Sequence, residues 1–374
     1  MPMDTTDTSD HALHLILERV RAAARDHTPL RLRGGGSKDF HGLALQGQEL
    51  DLRPLRGILS YEPSELVITA RAGTPLAELE AALAEHGQAL AFEPPHFADA
   101  QRQPTVGGMV AAGWSGPARA SVGAVRDFVL GVEIINGQGH LLRYGGQVMK
   151  NVAGYDVSRL MAGSWGTLGV ITEVSLKVLP VPPAEATLRF ALREQEALDA
   201  LNRWGGQPLP LNASCWHDGQ LWLRLRGARA AIEDACRQLG GERLAPEVAQ
   251  AFWHSLREQQ HNSLQARGNG LCLWRLSVPQ TAPALRLPAG AEPGPIEWLG
   301  AQRWVHAPRE LSAALEDVAQ TVGGSATLFR ADTADSISNW KIFNPKTPAL
   351  QAVHAQLKRA FDPRGIFNPG RTGI

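Results

Sequence analysis

Three clusters of glycine and other small residues are the parts of this sequence best suited to hold a ligand. The first follows a short apolar run and reads Arg33-Gly-Gly-Gly-Ser-Lys38. Consecutive glycines reach backbone conformations that other residues avoid, so several N–H groups can turn onto one anion. Ser37 and Lys38 could add a hydroxyl group and a positive charge. The cluster lacks the residue order of a Walker loop and of a G-x-G-x-x-G dinucleotide motif, and a flexible surface turn would also explain it.

Two further clusters follow along the chain. The second reads Pro104-Thr-Val-Gly-Gly-Met-Val-Ala-Ala-Gly113 and continues to Gly123 and Asp127. The third begins at Gly154 and ends in Gly166-Thr-Leu-Gly-Val-Ile-Thr-Glu173, where a glycine-rich turn leads into an apolar strand. Small side chains allow backbone to lie directly against a flat, bulky ligand. A tightly packed contact between helices would favour the same residue types.

The bulk composition excludes several classes of protein. Lys+Arg and Asp+Glu both number 37 in the 374 residues, so no basic surface for nucleic acid or for an anionic membrane is indicated. The three cysteines, Cys215, Cys236 and Cys272, lack the paired spacing of a disulfide framework or a metal site, and we expect them to be small buried hydrophobes. The polar N-terminus is unlike a signal peptide, and no apolar stretch is long enough to span a membrane. These features predict a cytoplasmic location, with membrane association only through partner proteins.

The elements that must position the clusters begin with a helix from Asp10, its expected N-cap, to about Ala24. Strands are predicted at Leu30–Arg33, at Leu50–Leu52 and at Glu65–Ala70. A second helix follows, with Thr74 as its cap and Leu76, Leu79 and Leu83 as its apolar stripe. These elements predict one compact lobe. Further strands at 128–135 and 170–178 predict a second lobe.

The predicted organisation is therefore α+β, with a two-lobed ligand-binding domain over residues 1–182, its lobes spanning about 1–95 and 96–182. The proline-rich stretch Pro180-Val-Pro-Pro183 marks a boundary. A small α+β cap domain is predicted over 183–330. The tail over 331–374 ends in an apolar motif and is expected to pack back on the first domain. Eight tryptophans in the second half suit either a subunit interface or an aromatic core.

Taken in this order, the three clusters resemble the FAD-binding domain of the vanillyl-alcohol oxidase / p-cresol methylhydroxylase (PCMH) superfamily over roughly residues 30–179. In that superfamily the first two loops hold the FAD diphosphate through backbone N–H groups, and the strand after the third cluster lies against the adenosine half. We expect Asp127, which follows Gly123 in the sequence, to orient a loop rather than to touch the flavin. The resemblance thus implies these cofactor-binding residues: Arg33, Gly34, Gly35, Gly36, Ser37, Lys38, Thr105, Gly107, Gly108, Gly123, Asp127, Gly166, Thr167, Gly169, Val170 and Ile171.

Some members of the superfamily attach FAD covalently through a histidine that follows the glycines of the first loop. Ser37 stands at that place in this chain. His41 is nearby, but a solvated loop histidine is the favoured interpretation. Non-covalent FAD is therefore predicted.

Within the superfamily the chain is most similar to the D-lactate/glycolate dehydrogenase branch. The segments Lys150-Asn-Val-Ala-Gly-Tyr-Asp156 and Phe361-Asp-Pro-Arg-Gly-Ile-Phe-Asn-Pro-Gly-Arg371 carry this resemblance. Overall length and Ala326-Thr-Leu-Phe-Arg330 resemble best the FAD-binding E subunits of bacterial glycolate oxidases. The resemblance implies a hetero-oligomer, with a second FAD-containing subunit and an iron–sulfur subunit as partners.

The chain departs from the catalytic members of this branch, whose cap domains carry histidine motifs that hold a divalent metal. The corresponding segments here, Val322–Arg330 and Ser336–Phe343, contain no histidine. His217, His254, His261, His306 and His354 lack ligand spacing, so no metal site is expected.

Two hypotheses follow for the function. In one, the chain is a self-sufficient FAD-dependent 2-hydroxy-acid dehydrogenase, and substrate lies near the flavin against some of Lys150, Tyr155, Arg330, Asn368 and Arg371. In the other, which we favour, it relays electrons or provides a scaffold while a partner flavin subunit oxidises glycolate to glyoxylate. For Arg330 and Arg371, surface ion pairing is an equally good explanation. A reductase of the enolpyruvyl-sugar type is a third possibility, but no nicotinamide site is indicated.

Overall fold

This computed structural model describes residues 5–42, 46–146, 156–265, 267–331 and 347–372. Lys150 and Tyr155, two of the predicted near-flavin residues, lie outside the described residues. The chain divides into two compact units. The first comprises Met1–Trp114, Ala124–Pro180 and Pro345–Ile374, and the second comprises Ser115–Gly123 and Val181–Asn344.

The helices of the described residues are α1 Thr5–Asp26, α2 Leu76–Ala84, α3 Val106–Ala112, α4 Arg119–Val122, α5 Val125–Phe128, α6 Val157–Leu160, α7 Glu194–Gly205, α8 Arg229–Leu239, α9 Pro246–Arg257, α10 Ser312–Thr321 and α11 Pro348–Phe361. The strands are β1 Leu30–Arg33, β2 Gln48–Asp51, β3 Ile58–Glu62, β4 Val67–Arg71, β5 Gln88–Ala89, β6 Val129–Ile135, β7 Leu141–Gly145, β8 Val170–Lys177, β9 Leu179–Pro180, β10 Ala184–Ala191, β11 Leu211–His217, β12 Gln220–Gly227, β13 Glu242–Arg243, β14 Cys272–Ser277, β15 Glu292–Glu297, β16 Gln302–Ala307 and β17 Ser325–Arg330.

The first unit is built around a five-stranded antiparallel sheet with the strand order β3-β4-β8-β6-β7. This sheet corrects the predicted lobe boundary near residue 95, because β3 and β4 come from the first predicted lobe and β6, β7 and β8 from the second. All five residues of β4 are buried. A strand buried on both faces needs hydrogen-bonded neighbours on both edges, because its backbone polar groups cannot reach water. Strand β3 lies along one edge of β4 and β8 along the other, where Thr69 of β4 is opposite Ser175 of β8.

A separate parallel pair, β1 and β2, carries the first glycine cluster at its end. Ile16 and Val20 of α1 pack on this pair, together with Leu30 and Phe367. Helix α1 begins at Thr5, so Asp10 is not its N-cap as predicted. The Asp10 carboxylate instead accepts a hydrogen bond from Arg71 at 2.6 Å.

Helix α2 follows the predicted stripe, since Leu76, Leu79 and Leu83 are all fully buried. The predicted cap is corrected, because the Thr74 hydroxyl does not bond to the helix. It donates to the carbonyl oxygen of Gly57 at 3.1 Å and accepts from the Gly57 N–H at 3.0 Å. Thr74 therefore ties the start of α2 to the approach to β3.

The second unit is an eight-stranded sheet with the order β13-β10-β12-β11-β15-β16-β14-β17, and every pairing in it is antiparallel. Helices α7 and α8 cover β10 and β12, and α10 covers β14 and β17. The segment Ser115–Gly123, predicted to lie in the first domain, belongs to this unit because α4 packs against β11. Four of the tryptophans are buried within the unit: Trp204, Trp253, Trp274 and Trp304. Cys215 and Cys272 are buried as predicted, whereas Cys236 is half-buried.

Candidate functional site

A cleft of about 820 Å³, including open space at its mouth, lies within the first unit. Its walls come from all three glycine clusters and from the tail of the chain. The residues that line it are Leu32, Arg33, Gly34, Gly35, Gly36, Ser37, Lys38, Asp39, Leu52, Ala72, Pro104, Thr105, Gly107, Gly108, Ala111, Ala112, Trp165, Gly166, Gly169, Ile171, Asn368 and Arg371.

The first glycine cluster lies directly against the second. A Cβ atom on Gly35 would stand 1.4 Å from the carbonyl oxygen of Gln103, and one on Gly34 would stand 2.4 Å from Oγ1 of Thr105. Gly36 adopts a φ of +72°, a left-handed conformation that favours glycine. Gly34 and Gly35 are therefore required by the close approach of the two loops, and Gly36 is favoured by its backbone conformation. These constraints argue against the alternative of a flexible surface turn.

The second cluster begins helix α3. Thr105 caps the helix, since its hydroxyl oxygen accepts a hydrogen bond from the N–H of Gly108 at 3.2 Å. The N–H of Gly107 donates to the carbonyl oxygen of Ala72 at 2.7 Å. A Cβ atom on Gly107 would stand 2.6 Å from Cβ of Ala72. The small residues thus hold α3 close to the end of β4.

The third cluster is attached to the second by main-chain hydrogen bonds. The N–H of Trp165 donates to the carbonyl oxygen of Ala111 at 2.9 Å, and the N–H of Gly163 donates to Val110 at 3.0 Å. Among the predicted residues of this cluster, Gly166, Gly169 and Ile171 line the cleft. Thr167 and Val170 do not. The Thr167 hydroxyl donates to the carbonyl oxygen of Ser164 at 2.7 Å, and the Val170 side chain is in the hydrophobic core.

The charged groups that line the cleft are three cations, Arg33, Lys38 and Arg371, and one anion, Asp39. Arg33 lies 3.2 Å from the Asp39 carboxylate and 3.4 Å from that of Glu49. The ammonium group of Lys38 donates to the hydroxyl oxygen of Ser37 at 3.3 Å. Burial lowers the pKa of Arg371 to about 10, so the group is charged at neutral pH. The excess of positive charge favours an anionic ligand.

Asn368 and Arg371, predicted from the tail motif, both line this cleft. The Asn368 side chain accepts a hydrogen bond from the N–H of Leu32 at 2.8 Å and donates to the carbonyl oxygen of Trp165 at 2.7 Å. It therefore links the strand before the first cluster to the turn of the third.

The remaining predicted residues lie elsewhere. Asp127 accepts a hydrogen bond from the N–H of Ala124 at 2.8 Å, and it does not line the cleft. Gly123 belongs to the second unit. Arg330 also belongs to that unit, where its guanidinium lies 3.4 Å from the carbonyl oxygen of Leu264 and burial lowers its pKa.

His41 is not the solvated loop residue that was favoured from the sequence, since only 2% of its surface is exposed. Its ring stacks on Trp165 with the ring centres 5.1 Å apart and meets Trp114 edge-on at 4.9 Å. The cleft-lining Trp165 was itself missed. In the sequence it stands between Ser164 and Gly166, and this pattern does not distinguish a ligand contact from packing.

Within the described ranges, no group of three or more His, Cys, Asp or Glu side chains is arranged to hold a metal ion. No helix in the part of the chain that the structure describes is long and apolar enough to cross a membrane.

The cleft fits a dinucleotide. Close-packed glycine turns place backbone along its wall, positive side chains surround them, and Ala111, Ala112 and Ile171 supply apolar surface. A diphosphate requires the first two features, and flat ring systems require the third.

Comparison with known proteins agrees with this geometry. The family description "FAD binding domain" matches residues 15–145. The glycolate oxidase subunit GlcE of Escherichia coli (strain K12) is 48% identical over 356 residues, which cover 95% of this chain and 96% of that protein.

Other relatives align with a smaller part of this chain. The glycolate oxidase subunit GlcD of Bacillus subtilis (strain 168) is 31% identical over 46% of this chain and 36% of its own length. The D-lactate dehydrogenase of Anaerostipes hadrus is 32% identical over 41% of this chain and 30% of its own length.

A solved structure of alkyldihydroxyacetonephosphate synthase superposes on this chain with a TM-score of 0.62 at 15% identity. The superposition covers 95% of this chain and 74% of the synthase chain. This likeness, with the FAD binding domain match, confirms the predicted α+β fold of the PCMH type. The domain match and the similarity to GlcE confirm FAD as the cofactor.

Proposed function

The chain belongs to the family of the glycolate oxidase subunit GlcE, and on that premise we propose that it is the FAD-binding subunit of a multi-subunit glycolate dehydrogenase. In this proposal it relays electrons or provides a scaffold, while a partner flavin subunit oxidises glycolate to glyoxylate. The observation that carries the proposal is the combination of a cleft built for FAD with a likeness to GlcE that extends over 95% of the chain.

The residues assigned to the cofactor follow from the cleft. Backbone at Gly34–Gly36 would hold the diphosphate, with Lys38 and Arg371 as counter-charges. The N–H groups of Gly107 and Gly108 bond to Ala72 and Thr105, so these two glycines would contribute close backbone contact on the same wall. Gly169 and Ile171 would lie along the adenosine half. When bound, FAD supplies the capacity to accept and pass on electrons. Ser37, not a histidine, follows the glycines, which supports non-covalent binding.

The share of this chain that aligns with each relative supports a relay or scaffold role. The GlcD subunit and the D-lactate dehydrogenase align with 46% and 41% of this chain, whereas the GlcE alignment spans 95%. The segment Val322–Arg330, which corresponds to a histidine motif in catalytic members of the branch, ends in strand β17 and holds no histidine.

The partners in this proposal are a GlcD-like flavin subunit and an iron–sulfur subunit, which would receive electrons. The location would be cytoplasmic, with contact to a membrane only through the assembled complex.

Anaerobic flavin reduction tests the proposal. The purified chain is loaded with FAD, its visible spectrum is recorded, and glycolate or D-lactate is added without oxygen. We expect bound flavin that stays oxidised with the chain alone and bleaches once the GlcD-like subunit is added.

The other outcomes are equally informative. Bleaching of the isolated chain would show a self-sufficient dehydrogenase and contradict the relay role. A chain that folds but retains no flavin after gel filtration would contradict the FAD assignment itself.

A further inference from the structure

The tail of the chain forms one wall of the cofactor cleft. Residues 366–372, which follow helix α11 and are called the clasp below, place Asn368 and Arg371 on that wall. Ile366 and Phe367 of the clasp are buried in the core beneath β1 and β2. The clasp is therefore both part of the hydrophobic core and part of the ligand site.

The clasp is held by hydrogen bonds to the strand that carries the first glycine cluster. The N–H of Leu30 donates to the carbonyl oxygen of Ile366 at 2.7 Å, and the N–H of Asn368 donates back to the carbonyl oxygen of Leu30 at 2.9 Å. Leu32 donates to the Asn368 side chain at 2.8 Å. The clasp thus acts as a short neighbour of β1, and its position fixes where Gly34–Gly36 begin.

Arg371 brings a positive charge to the same place. The residue is only 4% exposed, and its guanidinium lies 5.3 Å from the centre of the Trp165 ring. A Cβ atom on Gly42 would stand 2.6 Å from Nε of Arg371, so the loop after the first cluster packs tightly against the Arg371 side chain. A guanidinium enclosed in this way, on the wall of a cleft with excess positive charge, suits a phosphate group.

We propose that the clasp is a working part of the cofactor site, in which Arg371 neutralises the diphosphate of the dinucleotide, and that cofactor binding and docking of the clasp are coupled. This inference rests on the proposed function only in taking FAD as the ligand. It assigns Arg371 to the cofactor, not to the carboxylate of a substrate.

The coupling follows from linkage. If the cleft binds the diphosphate only when the clasp is docked, FAD stabilises the docked state, and an undocked clasp weakens FAD binding by the same factor. Ile366 and Phe367 stay in the core, so the part of the clasp that can open without unfolding the rest is 368–372, which the hydrogen bonds of Asn368 to Leu30, Leu32 and Trp165 hold in place.

The first experiment compares Arg371→Ala with Arg364→Ala, a matched control that removes an arginine from the exposed turn just before the clasp. The apoproteins are titrated with FAD, with ADP, which carries the diphosphate, and with adenosine, which does not. We expect Arg371→Ala to weaken FAD and ADP binding about 10- to 100-fold and to leave adenosine binding unchanged. Arg371→Lys should recover part of the loss, because it restores the charge.

Equal FAD affinities of the Arg371 and Arg364 variants would overturn the role of Arg371. An equal loss for adenosine and ADP would also overturn it, because the diphosphate would not be the group recognised. A wild-type apoprotein that binds no FAD would instead contradict the proposed function.

The second experiment needs no variant. Hydrogen exchange of the wild-type backbone is followed by mass spectrometry with and without FAD, and with ADP alone. We expect FAD and ADP each to slow exchange at residues 368–372 by about tenfold or more. Helix α10 in the second unit serves as the internal reference. Unchanged exchange in the clasp on FAD binding would overturn the coupling.

Discussion

The ammonium group of Lys358 lies 2.6 Å from the Asp362 carboxylate, one turn further along at the end of α11. The same ammonium donates to the carbonyl oxygens of Thr167 at 2.7 Å and Phe367 at 3.0 Å. The Asp362 carboxylate in turn accepts hydrogen bonds from the N–H groups of Ile366 and Phe367. One ion pair therefore joins the last helix, the third glycine cluster and the start of the clasp.

Replacement of Lys358 by Met should lower the free energy of unfolding by about 3 kcal/mol, because it leaves the buried Asp362 carboxylate without its cation. Urea unfolding of the apoprotein measures this change. The control is Arg359→Met, which removes a cation from the exposed side of the same helix and should change stability by less than about 0.5 kcal/mol. Equal stability of the two variants would contradict the assigned role of the ion pair.

Replacement of Gly35 by Ala should separate the first two glycine clusters, because the new Cβ would stand 1.4 Å from backbone at Gln103. We expect a loss of about 3 kcal/mol or more in stability and loss of bound flavin. The comparison is Gly108→Ala, where the new Cβ would meet only Oγ1 of Thr105 at 3.1 Å, inside a helix that favours alanine. Its apoprotein should stay within about 1 kcal/mol of the wild type. A Gly35 variant as stable as the Gly108 variant would refute the close approach.

Arg71 separates two acids that face each other across β6 and β8. It lies 2.7 Å from Glu173 and 3.9 Å from Glu133, and the two glutamates are cross-strand partners. Arg71→Met should cost about 3 kcal/mol at neutral pH. It removes the buried cation between the two acids and leaves them the exposed Arg143, which lies 2.6 Å from Glu133 and 3.6 Å from Glu173.

The cost of Arg71→Met should shrink as the pH falls. Burial and the charge of Glu133 already raise the pKa of Glu173. As the pH falls, Glu173 therefore takes up a proton at a higher pH than an ordinary glutamate, and the repulsion between the two acids disappears. Urea unfolding at several pH values measures the effect, and Arg71→Met combined with Glu173→Gln should recover part of it. Arg53→Met, at an exposed ion pair, should be nearly neutral at every pH. A pH-independent cost for the Arg71 variant would count against this account.

The buried Glu297 should make the stability of the second unit depend on pH. The carboxyl group is buried, and its Oε2 accepts hydrogen bonds from Trp304 at 2.6 Å and Gln302 at 2.9 Å. Burial raises the pKa of Glu297 above its ordinary 4.5. The native state therefore holds this proton to higher pH than the unfolded state, and stability falls as the pH rises through that window.

Glutamine at position 297 can accept the same two hydrogen bonds without ever ionising. The melting temperature of Glu297→Gln relative to the wild type should therefore rise between about pH 5 and about pH 8. Glu292→Gln, at the exposed start of the same strand, is the control and should show no such trend. A constant difference for the Glu297 variant would contradict a raised pKa.

Local patterns in the sequence were enough for much of the fold and the cleft. The leucine stripe of α2 and the order of the three glycine clusters depend on spacing within a few residues, and the structure brings all three clusters to one cleft. Which strands pair was not available from local patterns. Thr69 and Ser175 lie 106 positions apart, and no periodicity in either strand specifies the other as its neighbour.

Single side chains at long-range contacts were the hardest to predict. His41 lies in a polar loop by sequence, yet Trp114 and Trp165 from two distant segments enclose it. Thr74 and Asp10 have the residue types of helix caps, but Gly57 and Arg71 provide stronger partners. In each case a tertiary contact replaced the local preference.

The pairing of β1 with the clasp has a consequence for synthesis of the chain. Leu30 exchanges hydrogen bonds with Ile366 and Asn368, 336 and 338 residues later in translation. The glycine cluster that follows Leu30 therefore leaves the ribosome long before the wall that the clasp forms. At elongation rates of about 5–20 residues per second, the nascent cleft stays one-sided for tens of seconds. The wall that the clasp forms is thus absent until Arg371 has been made, so flavin can meet the complete cofactor site only after that point of synthesis.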